Sequence, residues 1–251
     1  MKRIFTLILV AVALLMPRVA TAQGYVPTEE ILKSREEFAD SKFGVFLHWG
    51  LYSMFAQGEW YMNRGIDSKE YAKSMHAFYP HRFDAAQWVS AIKAAGAKYI
   101  CFTSRHHEGF SMWDTKQSDY NIMNTPYGKD VIRQLADECH RQGIKLHLYY
   151  SHADWGRSDY FPSKSSNKVT EKDTFEGGYD NYFKFMNNQL EELLTKYDIT
   201  ALWFDGMWDR RSVNWRIREQ YDFIHSVQPS CLIGNNHHLP AIEGEDFQIF
   251  E

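Results

Sequence analysis

Short apolar runs alternate along this chain with segments of helical periodicity, and each run ends on polar or ionisable residues. The runs are Lys42–Trp49, Tyr99–Ser104, Lys145–Ser151, Ala201–Phe204 and Cys231–Asn235, and Phe247–Glu251 opens a sixth. Between them lie helical patterns at Asp84–Ala95, Asp130–Gln142, Tyr179–Tyr197 and Trp215–Val227, with Thr28–Asp40 as a lead-in helix. Asp84 and Asp130 are helix-start residues, and Gly96 and Gly143 are stop signals. Strands that alternate with helices of about 10–15 residues form parallel β-α units. Five or six such units in series, each with polar residues at its strand end, predict an α/β fold of the (β/α)8-like, TIM-type barrel class rather than a doubly wound sheet. A closed eight-stranded barrel takes about 250 residues. Here the first 22 residues read as a leader and residue 251 falls inside unit six. The expectation is therefore a barrel truncated after about six units, with a naturally short, open barrel as the alternative.

That leader has a charged start at Lys2-Arg3, an apolar stretch Ile4–Met16 and the small-residue site Ala20-Thr21-Ala22. This is the pattern of a secretory signal, and the apolar stretch is too short for a membrane span. The expected mature domain is 23–251, exported to the periplasm or the exterior, with no membrane insertion once the signal is removed. Three widely spaced cysteines, Cys101, Cys139 and Cys231, predict buried thiols rather than a disulfide framework. A net charge of −4 with scattered basic residues argues against a nucleic-acid partner. No strand is followed by G-x-G-x-x-G or G-x-x-x-x-G-K, so no nucleotide cofactor is expected.

The stretch A-L-W-F-D-G-M-W-D, Ala201–Asp209, carries the sharpest functional signal. Asp205 ends a buried-strand pattern, where an unused carboxylate is costly, and the C-terminal strand ends of a parallel barrel are where reactive side chains collect. Trp203 and Trp208 flank it and suit the apolar faces of sugars. The plain alternative is an Asp-Gly turn. The other strand ends supply His48, Glu59-Trp60, His106-His107, Tyr149, the run Asn235–His238 and the acidic group Glu243, Glu245, Asp246 and Glu251. Two carboxylates across a pocket lined with tryptophan and histidine meet the needs of glycoside hydrolysis. The competing chemistries are a metal-dependent hydrolase built on the strand-end histidines, and histidines with a purely packing role.

Five motifs together resemble the α-L-fucosidases of glycoside hydrolase family 29. They are F-G-V-F-L-H-W-G-L-Y-S (Phe43–Ser53) with E-W-Y (Glu59–Tyr61), A-G-A-K-Y-I (Ala95–Ile100), R-H-H-E-G-F (Arg105–Phe110), L-Y-Y-S (Leu148–Ser151) and L-W-F-D-G (Leu202–Gly206). The resemblance implies a retaining exo-α-L-fucosidase acting on fucosylated glycans through a covalent glycosyl-Asp intermediate, with no cofactor and no metal. By motif it assigns Asp205 as nucleophile and His48, Glu59, Trp60, His106, His107 and Tyr149 as fucose-binding residues. Glu251 stands where some members carry the acid/base, with Glu245 and Glu243 as runners-up. Trp203, Trp60 and Phe46 are candidates for the wall that receives the sugar's methyl group. Where many members have an arginine after the fifth strand, this chain has Asn235-Asn236-His237-His238, and His237 is the nearest substitute. The resemblance also implies a barrel that continues past Glu251. Residues 23–251 alone are expected to be poorly folded and inactive, and a catalytically degenerate fucose-binding barrel is the alternative function.

Overall fold

The computed structural model describes residues 25–160, 178–210 and 213–250, so the leader and Glu251 lie outside the described residues. Six strands, β1 (Gly44–Leu47), β2 (Tyr99–Arg105), β3 (Lys145–Ser151), β4 (Ala201–Asp205), β5 (Leu232–Asn235) and β6 (Phe247–Gln248), form one sheet in the order β1-β2-β3-β4-β5-β6. Every neighbouring pair is parallel. The helices are α1 (Glu29–Ser41), α2 (Ser68–Ala72), α3 (Ala85–Ala94), α4 (Val131–Gln142), α5 (Gly178–Lys196) and α6 (Ile217–Val227). This is the expected β-α series, a curled part-barrel. The predicted helix starts are real caps: Asp84 Oδ1 accepts from Gln87 N at 2.9 Å, Asp130 Oδ1 from Arg133 N at 2.8 Å and Thr28 Oγ1 from Ile31 N at 3.3 Å. Each satisfies a backbone donor that the first helical turn leaves without a partner.

Strand alternation divides the side chains between two layers. Ile100, Phe102, Leu146, Leu148, Tyr150, Leu202, Phe204 and Ile233 turn outward into a buried core shared with Val131, Leu135, Leu190 and Ile224 of the helices. The alternate positions, among them Cys101, His147, Tyr149, Trp203 and Asp205, face the concave side. Register then sets the site: Tyr149 pairs with Trp203 and Ser151 with Asp205, so the polar ends of β3 and β4 emerge side by side.

The lead-in helix has a structural task. Phe38 of α1 meets the rings of Tyr99, His147 and Phe247 at 5.5, 5.5 and 4.9 Å, filling the concave side near the strand starts. Arg35 Nε donates to Asp246 Oδ1 at 2.8 Å, and the other oxygen of this fully buried carboxylate accepts from Ile233 N at 2.8 Å, tying α1 to β5 and β6. The segment Leu51–Arg64 after β1 is rich in aromatic residues and glycine, a composition that by itself reads as a long loop. It winds into two 3-10 turns, Leu51–Phe55 and Tyr61–Arg64, because Leu51, Tyr52 and Met62 bury themselves. All three cysteines are free and buried, as expected.

Among the described residues β1 pairs only with β2, and β6 only with β5. Open edges of this kind template association, and Phe46 beside one of them is 38% exposed. Residues 23–251 expressed alone are therefore expected to associate, seen as a polydisperse profile in size-exclusion chromatography. A monomer with a sharp, cooperative melt would contradict this.

Candidate active site

Asp205 is the last residue of β4 and is 7% exposed. Burying a carboxylate there requires donors, and three neighbouring elements supply them. Tyr149 Oη of β3 donates to Oδ2 at 2.9 Å, Trp208 Nε1 of the following turn to Oδ1 at 2.8 Å, and Asn236 Nδ2 beyond β5 to Oδ1 at 3.3 Å. Gly206 allows this exit. Its φ is +96°, and a Cβ there would stand 2.7 Å from the backbone nitrogen of Ala153. Burial, with the nearby Asp205 charge adding to it, pushes the Tyr149 phenol well above its ordinary range, so it remains a donor.

Three histidines border this carboxylate. His106 stacks on Tyr149 with 5.2 Å between centroids, His48 stands 5.5 Å from His106, and the His106 and His107 rings are 4.1 Å apart. An extended strand would send adjacent side chains to opposite faces. Here both lie past the end of β2 at Arg105, where the backbone is no longer an extended strand, and their rings stand side by side. His107 Nε2 lies 3.5 Å from Asp205 Oδ2, while Nδ1 meets Ser151 Oγ at 2.6 Å. Ser151 Oγ donates its proton to the Ala153 carbonyl at 2.8 Å, so it accepts from His107 Nδ1–H, and the neutral ring carries a lone pair on Nε2. Burial lowers the His107 pKa to about 4, outweighing the attraction of Asp205. His48 is also lowered by burial, against the pull of Glu59 and Asp205. Glu59, half-buried, is thus within electrostatic reach of His48.

Aromatic rings form the wall. Trp60 stacks on Trp208 at 5.0 Å and 10°, and Trp155 joins it at 5.5 Å. Lower in the cleft, Trp203 stacks on Tyr149 at 5.4 Å and meets Phe46 edge-on at 5.1 Å. The loop that carries Trp155 is anchored by Arg105, fully buried, whose guanidinium bonds Asp154 and donates to the Ser151 carbonyl at 3.2 Å. Trp155 N also donates to the His107 carbonyl at 2.8 Å.

The structure thus brings Asp205, His48, Glu59, Trp60, His106, His107, Tyr149 and Trp203 together. It does not bring in the other candidates. His237 uses both ring nitrogens internally, Nε2 with Glu245 at 2.7 Å and Nδ1 accepting from Leu239 N at 2.9 Å, so it does not replace an arginine toward substrate. Glu245 is occupied by His237, Tyr221 Oη and Ile242 N, and Glu243 by Arg218 of α6, so both runner-up acid/bases are turned to the helical layer. Glu251 lies outside the described residues. Sequence reasoning placed Asn236 among the strand ends and Trp208 beside Asp205 without making either a site residue. Ser151 and Trp155 it missed as site residues, although the polar end of β3 was their signal. Among the described residues no group of three or more His, Cys, Asp and Glu is arranged to hold a metal ion, and no helix is long and apolar enough to cross a membrane.

The fold is thus a parallel β-α part-barrel that buries a carboxylate at the end of β4 among histidines and stacked tryptophans. The family model for alpha-L-fucosidase matches residues 12–251, and the chain belongs to that family. It is similar to an alpha-L-fucosidase of Dictyostelium discoideum, 28% identical over 91% of this chain and 55% of that protein. Among solved structures, a GH29 alpha-L-fucosidase from Bacteroides thetaiotaomicron superposes with a TM-score of 0.74 at 30% identity, covering 86% of this chain and 49% of that one. A second structure from that organism, trapped as a covalent intermediate with 2-fluoro-fucosyl fluoride, has a TM-score of 0.73 at 30% identity and covers 87% of this chain and 52% of that one. The chain spans about half the length of the curated relatives it matches.

The buried histidines make stability depend on pH. Burial lowers His107 and His152 to about 4 and His147 to about 3, so below the ordinary histidine pKa the unfolded chain binds protons that the folded chain refuses. Glu108 has the opposite sign: burial raises its pKa to about 8, so its contribution fades as pH rises toward that value. The denaturation midpoint of the natural gene product is expected to peak near pH 6.5–7 and to fall by about pH 5.5, above the carboxylate range. A midpoint that is flat or rising down to about pH 5.5 would contradict this assignment.

Proposed function

We propose that the natural gene product is an exported, retaining exo-α-L-fucosidase that removes terminal α-L-fucosyl groups from fucosylated glycans. One observation carries the reading: Asp205 is held at the strand end by donors from three elements, with one face left toward the histidine and tryptophan cleft. In this reading Asp205 attacks the anomeric carbon, forming a glycosyl ester as the glycosidic bond breaks, and a second carboxyl group protonates the departing oxygen and then activates water. Glu251 is the proposed second group, from its place in E-D-F-Q-I-F-E. His48, Glu59, His106, His107 and Tyr149 would bind the sugar hydroxyls, and Trp60, Trp203 and Phe46 would receive the methyl group of a 6-deoxy sugar. Support also comes from the relative trapped as a covalent intermediate. The leader at residues 1–22 supports export.

Replacing Asp205 with Ala in the natural gene product should lower turnover of an aryl α-L-fucoside by about 10³-fold or more, the scale set by losing a covalent nucleophile. Azide should then restore release of the aryl group, with a fucosyl azide of inverted configuration as product. A variant with near-normal hydrolysis would remove Asp205 from the mechanism.

A further inference from the structure

Beside the cleft lies a buried acid that the reading above does not use. Glu108 follows the two histidines beyond β2, and its side chain is 2% exposed. Its Oε2 stands 3.7 Å from His106 Nδ1, and among the described residues neither atom has a hydrogen-bond partner. Two unpartnered polar atoms, both buried and facing one another, are costly apart and need only a small rotation to satisfy each other.

The surroundings fix which partner holds the proton. The nearest guanidinium, Arg105, is committed to Asp154, the Ser151 carbonyl and Tyr182 Oη. The other charges that act on Glu108 are the carboxylates of Asp154 and Glu59, both of which oppose ionisation. The phenols of Tyr52, Tyr71 and Tyr120 face it from the 3-10 turn at 51–55, from α2 and from the loop after β2, and burial keeps all three protonated. Burial, the largest cause, lifts the Glu108 carboxyl to about 8. His106 cannot take that proton, because burial, reinforced by His107 and His48, pushes its pKa well below the usual range. The pair is a carboxylic acid beside a neutral imidazole. In that pairing the O–H points at the Nδ1 lone pair, and the ring proton stays on Nε2.

We propose that Glu108 is a positioning residue for the sugar site: its protonated carboxyl donates to His106 Nδ1 and fixes that ring as the Nε2–H tautomer. The two adjacent histidines then carry opposite characters. His106 offers a donor, and His107, whose Nδ1–H is given to Ser151, offers an acceptor. With ring centres 4.1 Å apart, they match hydroxyl groups that must accept on one side and donate on the other. The assignment of those hydroxyls to fucose rests on the proposed function, whereas the tautomer itself does not.

The test is long-range ¹H–¹⁵N NMR of the His106 ring in the natural gene product, together with L-fucose binding by calorimetry. Near neutral pH the wild-type ring should show a protonated Nε2. Glu108→Gln keeps a donor toward Nδ1 and should preserve both this signature and fucose affinity within about threefold, whereas Glu108→Leu should lose the fixed tautomer and weaken fucose by about tenfold or more, the scale of one buried polar partner. Raising the pH through about 8 should reverse the tautomer and weaken binding in the wild type. Glu108→Gln should show neither change, which a merely structural role for Glu108 would not produce. The proposal is overturned by a protonated Nδ1 in the wild type, by an unchanged tautomer in Glu108→Leu, or by the same alkaline loss in Glu108→Gln. The last arm decides the matter even if Glu108→Leu does not fold. A protonated Nε2 in a protein that binds no fucose would support the Glu108 pair and count against the fucosidase reading instead.

Discussion

A carboxylate cannot be buried at the end of a strand unless donors are brought to it, and the upper half of this sheet is arranged to bring them. Asp205 depends on a phenol from β3, an indole from the turn after β4 and an amide from beyond β5. Each donor requires its own support. Tyr149 is wedged between the rings of His106 and Trp203, Trp208 is stacked on Trp60, and the β3 loop is held by Arg105 and Asp154. The chemistry proposed for the site follows from these supports, because a nucleophile must be presented in one orientation.

The histidines show how backbone geometry becomes chemical character. His106 and His107 are adjacent in sequence and both are neutral, yet their second-layer partners differ. Ser151 accepts a hydrogen bond from His107, and Glu108 faces His106 with an acid. Identical side chains thereby gain opposite hydrogen-bonding roles, set by the partner behind each ring. Burial produces both neutral rings, and the same burial makes the fold sensitive to acid.

The strand–helix series, its parallel order and the helix caps were legible in the sequence because each rests on local pattern: alternation, periodicity, Asp at a helix start. Asp205, Tyr149 and the paired histidines were legible because strand ends of a parallel sheet converge. Local pattern failed where three-dimensional pairing decided the outcome. His237 and Glu245 looked like site residues by position, but eight residues apart they meet each other at 2.7 Å and turn to the helices. Within the lead-in helix pattern nothing marks Phe38 and Arg35, since their partners Tyr99, His147, Phe247 and Asp246 lie 61 to 211 residues away. The Glu108–His106 pair was invisible for another reason: only the structure shows that the guanidinium of Arg105 is committed to Asp154 and Ser151 and that Glu108 is buried against His106.

The central claim is that Asp205 is the group that bonds to the sugar. The most direct measurement is peptide mass mapping of the natural gene product after reaction with 2-fluoro-fucosyl fluoride, whose fluorine slows breakdown of a glycosyl ester. The account predicts a single added 2-fluoro-fucosyl group on the peptide containing Asp205, with fragmentation placing it on that carboxylate. A label on another residue, or a protein that turns the reagent over with no covalent adduct, would contradict it.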